Sequence, residues 1–216
     1  MAVLSLLLVL LLLIPVSPSE EEKDTGWDSA TIATEFDLND VIALNSTSAI
    51  AVGDSGKLYL TEDSGANWSE LDSGVVQDLN SIEFNEQAVA VGDSGTVIVR
   101  DGDSWTDNSI EGAGNLHDLS VPHFESLSNS TIFVSGTGGE IWKWSNNSWS
   151  DLSNGTGTDV DIYAIDFIDN DKGFAVGADG LIIATSDGGL SWEVRDPPDE
   201  FKDFSFYDLL FFGWEG

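Results

Sequence analysis

The chain is 216 residues long and carries 39 Asp or Glu against 7 Lys or Arg, a formal net charge of -32 with a pI near 4.1. A charge of that sign and size repels phosphate backbones and anionic headgroups, which excludes nucleic-acid binding and electrostatic docking on anionic membrane surfaces. With 41% apolar residues and 8 Trp the chain still has the material for a packed core, so it is not a disordered acidic tail.

Residues 2–16 are almost wholly apolar, with eight Leu, and lead into Ser17, Pro18, Ser19 and then Glu20, Glu21 and Glu22. The run is shorter than the roughly 18 to 20 residues a spanning helix needs, and it ends in small residues, so residues 1–19 read as a signal peptide cleaved after Ser19. An uncleaved N-terminal anchor is the alternative. Either way the expected location is extracellular or at the cell surface. There is no cysteine, which removes disulfides and a lipoprotein-type lipid anchor, so the fold must be held by core burial alone. Asn-X-Ser/Thr sequons at Asn45, Asn67, Asn129, Asn146 and Asn154 permit glycosylation.

The rest of the chain repeats. DLNDVIAL at Asp37, DLNSIEF at Asp78, DLSVPHF at Asp118 and DIYAIDF at Asp161 start four units 41, 40 and 43 residues apart. Each start is followed by a Gly-punctuated strand and turn (AVGDSG, AVGDSG, VSGTGG, AVGADG), then by a short apolar strand and a turn that ends in Trp. Four short strands per period of about forty residues, separated by Asp-Gly and Ser-Gly turns, predict antiparallel β-propeller blades. No stretch after the leader keeps a helical period. The expected fold is therefore all-β: a propeller over residues 20–216 with blades at 37–74, 78–114, 118–157 and 161–203. A closing strand is expected at 25–34, because Trp27 precedes Asp37 by the same ten residues that separate Trp68 from Asp78. Residues 204–216 begin a partial fifth blade, since YDLLFF aligns with YAIDFI, and an incomplete ring is the expectation.

The Trp-ending turns are the most specific motif. TEDSGANW (61–68) and TSDGGLSW (185–192) are similar to the Asp box of bacterial neuraminidase repeats, [ST]-x-D-x-G-x-[ST]-W, with Asn67 at the last Ser/Thr position of the first. Thr61, Asp63, Gly65 and Trp68, and likewise Thr185, Asp187, Gly189 and Trp192, are expected to form a carboxylate-clasped hairpin with Gly at positive φ and Trp packed into the blade stack. RDGDSW and WSNNSW in the middle repeats keep the Trp and should lose the clasp. The fourth repeat, FIDNDKGFAVGADGLIIATSDGGLSW, closely resembles the photosystem II assembly and stability factor-like propeller family, and the resemblance runs through all four repeats. It implies a propeller fold and a role in assembly. Family members that bind photosystem subunits are expected to present an arginine patch; here the arginines are Arg100 and Arg195.

Candidate chemistry is sparse. Asp169 and Asp171 in DNDKG resemble part of a calcium loop, but they lack the distal Glu, and the same residues are turn formers, so calcium is only a weak expectation and no other cofactor is implied. His117 and His123 without cysteine do not make a usual zinc site. Trp142 and Trp144 lie on one face of a strand, where they either stack on a glycan or pack between blades. Sialidases with this fold hold the substrate carboxylate with three arginines, and two cannot supply three. No catalytic residue is assigned. The expected function is a non-catalytic scaffold for a protein or glycan ligand, with a glycan-active propeller as the alternative. The acidic surface predicts that the thermal midpoint rises by a few degrees as NaCl goes from about 0.05 M to about 0.5 M and self-repulsion is screened; a midpoint that stays flat in a scanning-calorimetry series would contradict it.

Overall fold

The computed structural model describes residues 32, 34–123 and 129–210. The leader and the expected closing strand at 25–34 fall outside the described residues, apart from Ile32 and Thr34. The remainder is four sheets of four antiparallel strands in sequence order, with no α-helix among the described residues. Blade 1 comprises β1 (Leu38–Ala43), β2 (Ala49–Gly53), β3 (Lys57–Thr61) and β4 (Ser69–Leu71); blade 2 comprises β5 (Leu79–Asn85), β6 (Gln87–Gly92), β7 (Val97–Asp101) and β8 (Ser104–Asp107). Blade 3 comprises β9 (Leu116–His123), β10 (Thr131–Gly136), β11 (Ile141–Ser145) and β12 (Ser148–Asp151); blade 4 comprises β13 (Ile162–Phe167), β14 (Gly173–Gly177), β15 (Ile182–Thr185) and β16 (Glu193–Val194). The innermost strands β1, β5, β9 and β13 pack on one another in that order, while β1 and β13 are not neighbours, so the described blades form an open arc.

The core lies between blades. Strands such as β6 (QAVAVG) are apolar at nearly every position rather than alternating because a blade covers each of their faces. Ile50, Val52 and Leu58 of blade 1 pack on Leu79, Ile82 and Ile98 of blade 2. Val89, Val91 and Val97 of blade 2 meet Leu116, Ile132 and Val134 of blade 3. Phe133 and Ile141 of blade 3 meet Ile162, Ile165 and Ile183 of blade 4. At the last seam the Phe133 and Phe167 rings stack with centroids 3.6 Å apart, and Trp192 meets Phe167 edge-on at 5.8 Å.

One register differs from the sequence expectation. Leu38, Leu79 and Ile162 pair with the glycine that ends the neighbouring strand, and in blade 3 the residue in that place is Leu116, opposite Gly136. The third blade therefore starts three residues earlier than the DLS motif at Asp118 implied. Asn115 is its lead-in residue, and Asp118 sits inside the strand. The glycine decides the register, because the lead-in backbone passes too close for any side chain. A Cβ on Gly53, Gly92, Gly136 or Gly177 would lie 2.1, 1.9, 2.5 or 2.1 Å from the carbonyl oxygen of Asp37, Asp78, Asn115 or Asp161.

Residues 204–210 follow blade 4 in the place of a next inner strand. Gly180 N–H donates to the Phe204 carbonyl just as Gly95 N–H donates to that of Gly114, and Phe206 N–H donates to the Gly177 carbonyl. Gly92→Ala should lower stability by about 3 kcal/mol through overpacking against backbone. Gly102→Ala, whose added methyl meets nothing within 4 Å, should cost about 1 kcal/mol for its positive φ; urea unfolding of both variants checks the contrast.

Candidate functional site

An inner strand is a sheet edge, so every second N–H on it lacks a partner in its own blade and must find one elsewhere. The preceding blade supplies it. Asp40 Oδ2 accepts the Ile82 N–H at 2.9 Å, Asp118 Oδ2 accepts the Ile165 N–H at 2.9 Å, and Ser120 Oγ accepts the Phe167 N–H at 3.0 Å. Glu83 accepts the Val121 N–H in the same way. The result is a band of carboxylates and hydroxyls on the inner strands: Asp40, Ser81, Glu83, Asp118, Ser120 and Asp166. Ser81 Oγ stands 3.1 Å from Asp40 Oδ2 and 3.0 Å from Asp118 Oδ1. A hydroxyl has one proton to give, so one of these contacts needs a protonated carboxyl as its donor.

The electrostatics agree. Burial, together with the Asp118, Asp166 and Asp40 charges, raises Glu83 to about 8, and its Oε2 is sealed from solvent without a hydrogen-bond partner. Burial first, and Asp40 last, raise Asp118 to about 7, although its side chain keeps a partly exposed edge. Asp40 is raised by burial, with a further push from Asp208 in the C-terminal segment. The acceptor bonds from Ile82, Val121 and Ile165 pull the other way and are outweighed.

The Asp boxes sit at the far end of the blades, on the loops between third and fourth strands. Asp187 Oδ1 accepts from Ser191 N–H (2.9 Å) and Thr185 Oγ1 (2.8 Å), while Ser191 Oγ donates to Oδ2 at 2.6 Å. Asp63 accepts from Asn67 N–H (2.8 Å), Thr61 Oγ1 (2.9 Å) and Asn67 Nδ2 (2.7 Å), so the amide of Asn67 does what a Ser or Thr hydroxyl does in the fourth blade. Thr61 and Thr185 accept from the N–H of Gly65 and Gly189, whose φ values are 88° and 85°. These donors hold both carboxylates below the usual range, the contacts to Asn67 and to Ser191 contributing most. Trp68 Nε1 donates to the Gly65 carbonyl, and Trp192 is buried against Phe167. The middle blades replace the box by two-residue hairpins, one of them Asn146-Asn147 with both φ positive.

The remaining sequence candidates fall elsewhere. Trp144 is buried between blades 2 and 3 in an edge contact with Trp149, and the half-buried Trp142 packs on the same cluster. Their packing is what the seam between two blades, which needs large apolar residues, uses them for. Asp169 Oδ1 accepts the N–H groups of Asp171 and Lys172 and so closes the β13–β14 turn. No cluster of three or more metal-ligating side chains occurs among the described residues. Asp171 lines an open polar cleft of about 500 Å³ with Lys143, whose ammonium lies 4.8 Å over the Phe133 ring and is depressed by burial. Asn45, Asn129, Asn146 and Asn154 are exposed; Asn45 Oδ1 accepts the N–H of Thr47 and Ser48, and the amide of Asn67 is held by Asp63.

Sequence reasoning placed Asp118 at the start of the third blade and passed over Asp40, Glu83 and Asp166. The signal present was an acid inside an apolar strand, where Asp and Glu are disfavoured unless paired. Chemically the band acts as a frame at Asp40, Glu83 and Asp118, which accept backbone N–H groups of the next blade.

Comparisons with known proteins fit this architecture. The family model described as Photosynthesis system II assembly factor YCF48 matches residues 141–216. A curated relative, the photosystem II assembly lipoprotein Ycf48 of Prochlorococcus marinus (strain MIT 9312), is 48% identical over 53 residues, which are 24% of this chain and 15% of the relative. Among solved structures, YCF48 bound to D1 peptide is similar with a TM-score of 0.62 at 19% identity, over 87% of this chain and 63% of the other. YCF48 from Cyanidioschyzon merolae gives 0.58 at 18% identity, over 87% and 64%. The chain is thus a propeller like the photosystem II assembly factors, and it spans less than two thirds of the length of these relatives. The extracellular or cell-surface location expected from the leader is corrected by the same relatives, which are photosystem II assembly factors and not extracellular proteins.

The raised carboxylates set a pH dependence. The folded chain keeps a proton on Asp118 from about 4 to about 7 and on Glu83 from about 4.5 to about 8 that the unfolded chain has released, so stability falls as pH rises through those windows. The depressed Asp63 and Asp187 act oppositely, and their contribution is lost as pH falls through the acidic end. Glu83→Gln keeps an acceptor for the Val121 N–H and removes the charge, so urea midpoints against pH should show a shallower decline and a more stable protein at pH ~8.5; a slope identical to the parent would remove Glu83 from this account.

Proposed function

We propose that this chain is a non-catalytic assembly scaffold of the photosystem II assembly factor kind, whose ligand is a segment of a partner protein. The observation that carries the reading is the use of the inner-strand acids. In a propeller hydrolase, two carboxylates on this wall would flank the scissile bond and exchange protons with it. Here Asp40, Glu83 and Asp118 accept N–H groups of the following blade, so moving any of them toward a substrate would leave an edge amide buried and unpaired.

What such a frame offers is rigidity. Three inter-blade cores and the two clasped Asp boxes hold the loops at both ends of the blades in fixed relation, as a binding surface requires. The resemblance to a solved propeller bound to D1 peptide supports a peptide as ligand class. Titrating the purified chain with that D1 peptide in a calorimeter should give saturable, one-site binding, with no release of sugar from polysaccharides in a parallel assay. No heat of binding together with polysaccharide cleavage would replace the scaffold by the glycan-active alternative; no binding and no cleavage would remove the D1 segment as ligand.

A further inference from the structure

Each inner strand has a β-bulge at its second residue. The pairing register jumps between Leu38 and Asp40, Leu79 and Ser81, Leu116 and Asp118, and Ile162 and Ala164, which leaves Asn39, Asn80, His117 and Tyr163 as the extra residues. A bulge re-aims the side chain it carries, and here all four point along the rim where the blades begin. In blades 1 and 2 the amides turn inward: Asn39 Nδ2 donates to the Leu79 carbonyl at 2.9 Å and Asn80 Nδ2 to the Leu116 carbonyl at 2.7 Å. From blade 3 onward the position is aromatic and the pattern changes. His117 and Tyr163 lie 5.3 Å apart, and Tyr163 stacks on Tyr207 of the C-terminal segment at 4.9 Å and 23°. Tyr207, the last of the ladder, is 71% exposed.

The shelf is anionic as well as aromatic. Asp161 and Asp179 both lie within electrostatic reach of the Tyr163 hydroxyl. Asp208 follows Tyr207 and is exposed, and Lys202 nearby is already paired with Asp199 at 2.7 Å. Stacked tyrosine faces edged by carboxylates suit a planar cation, which packs on the ring and donates to the acids at its margin. A chain of net charge -32 draws a basic partner from a distance and repels an acidic one.

We propose that the rim formed by Tyr163, Tyr207, Asp161 and Asp179 is a docking site for an arginine side chain in a basic segment of a partner protein. This rests on the scaffold reading and names the chemistry of the partner. The ligand is protein rather than nucleic acid or lipid, because the carboxylate edge repels the phosphates that either would bring.

The test uses the full chain and three nine-residue Gly/Ser peptides that carry two arginines, two lysines or two citrullines, titrated at about 0.15 M salt so that diffuse attraction is screened. Arginine should bind more tightly than lysine, and citrulline, the neutral isostere, should not bind. Tyr207→Ala should weaken the arginine peptide about five- to ten-fold, Tyr207→Phe should retain it, and Asp179→Asn should weaken it about three-fold. Glu62→Gln, which removes the same charge from an exposed loop at the opposite end of blade 1, should change nothing. Tyr207 and Asp179 are exposed, so circular dichroism of these variants should match the parent. Equal losses from Asp179→Asn and Glu62→Gln, arginine and lysine binding alike and unmoved by Tyr207→Ala, or no arginine binding at all would each overturn the site. A chain that binds D1 peptide yet is indifferent to Tyr207→Ala keeps the scaffold reading and loses the shelf.

Discussion

The unpaired edge of the innermost strand is the constraint on which the rest of this propeller depends. A blade of four antiparallel strands has two edges, and the one nearest the axis cannot be left bare in a packed wall. The chain answers with side-chain acceptors borrowed from the preceding blade: carboxylates at Asp40, Glu83 and Asp118 and a hydroxyl at Ser120. A carboxylate suits this place because it accepts two bonds; Asp40 takes the N–H of Ile82 with one oxygen and that of Val41 with the other. Burying such groups, and then setting several of them on one wall, raises Glu83 and Asp118 toward neutrality. Stability and acidity are therefore coupled through the same atoms.

A second, more polar seam runs around the rim. The N–H of Ser55, Ser94 and Gly138 donates to the side-chain oxygen of Asp78, Asn115 and Asp161, so each turn between the second and third strands grips the lead-in residue of the next blade. These bonds tie the turn of one sheet to the start of the next without a disulfide, while Gly53, Gly92, Gly136 and Gly177, having no Cβ, let each lead-in carbonyl pass close against its own sheet. Much of the excess of Asp over basic residues serves these seams and the Asp boxes. The bulge residues at the rim are where the repeat stops being uniform: two asparagines continue the seam, and an aromatic ladder departs from it.

Legibility in the sequence varied with how local each feature is. The fourth Asp box could be read residue by residue, since Thr185, Asp187, Gly189 and Ser191 satisfy one another within seven positions. The exchange of Asn67 for a hydroxyl residue was visible, and only its geometry explains why the clasp survives. The third blade was misplaced because Asp118-Leu119-Ser120 imitates Asp78-Leu79-Asn80 in composition, while the residue gripped by Ser94 is Asn115. Trp142 and Trp144 looked like an available aromatic face because strand alternation says which side a residue is on and not whether another blade stands there.

What the amino-acid sequence determined by itself is the all-β repeat, its four blades, the two Asp boxes and the sign of the surface charge, because turn chemistry, strand patterning and composition act over a few residues at a time. What only the tertiary structure decided is the register of blade 3, the band of inner-strand acids and the ladder from His117 through Tyr163 to Tyr207. These depend on partners in different blades, with Asp40 and Ile82 or Asp118 and Ile165 more than forty residues apart along the chain. An edge amide states its need for an acceptor nowhere in its own neighbourhood; the stacking of blades chooses which side chain meets it.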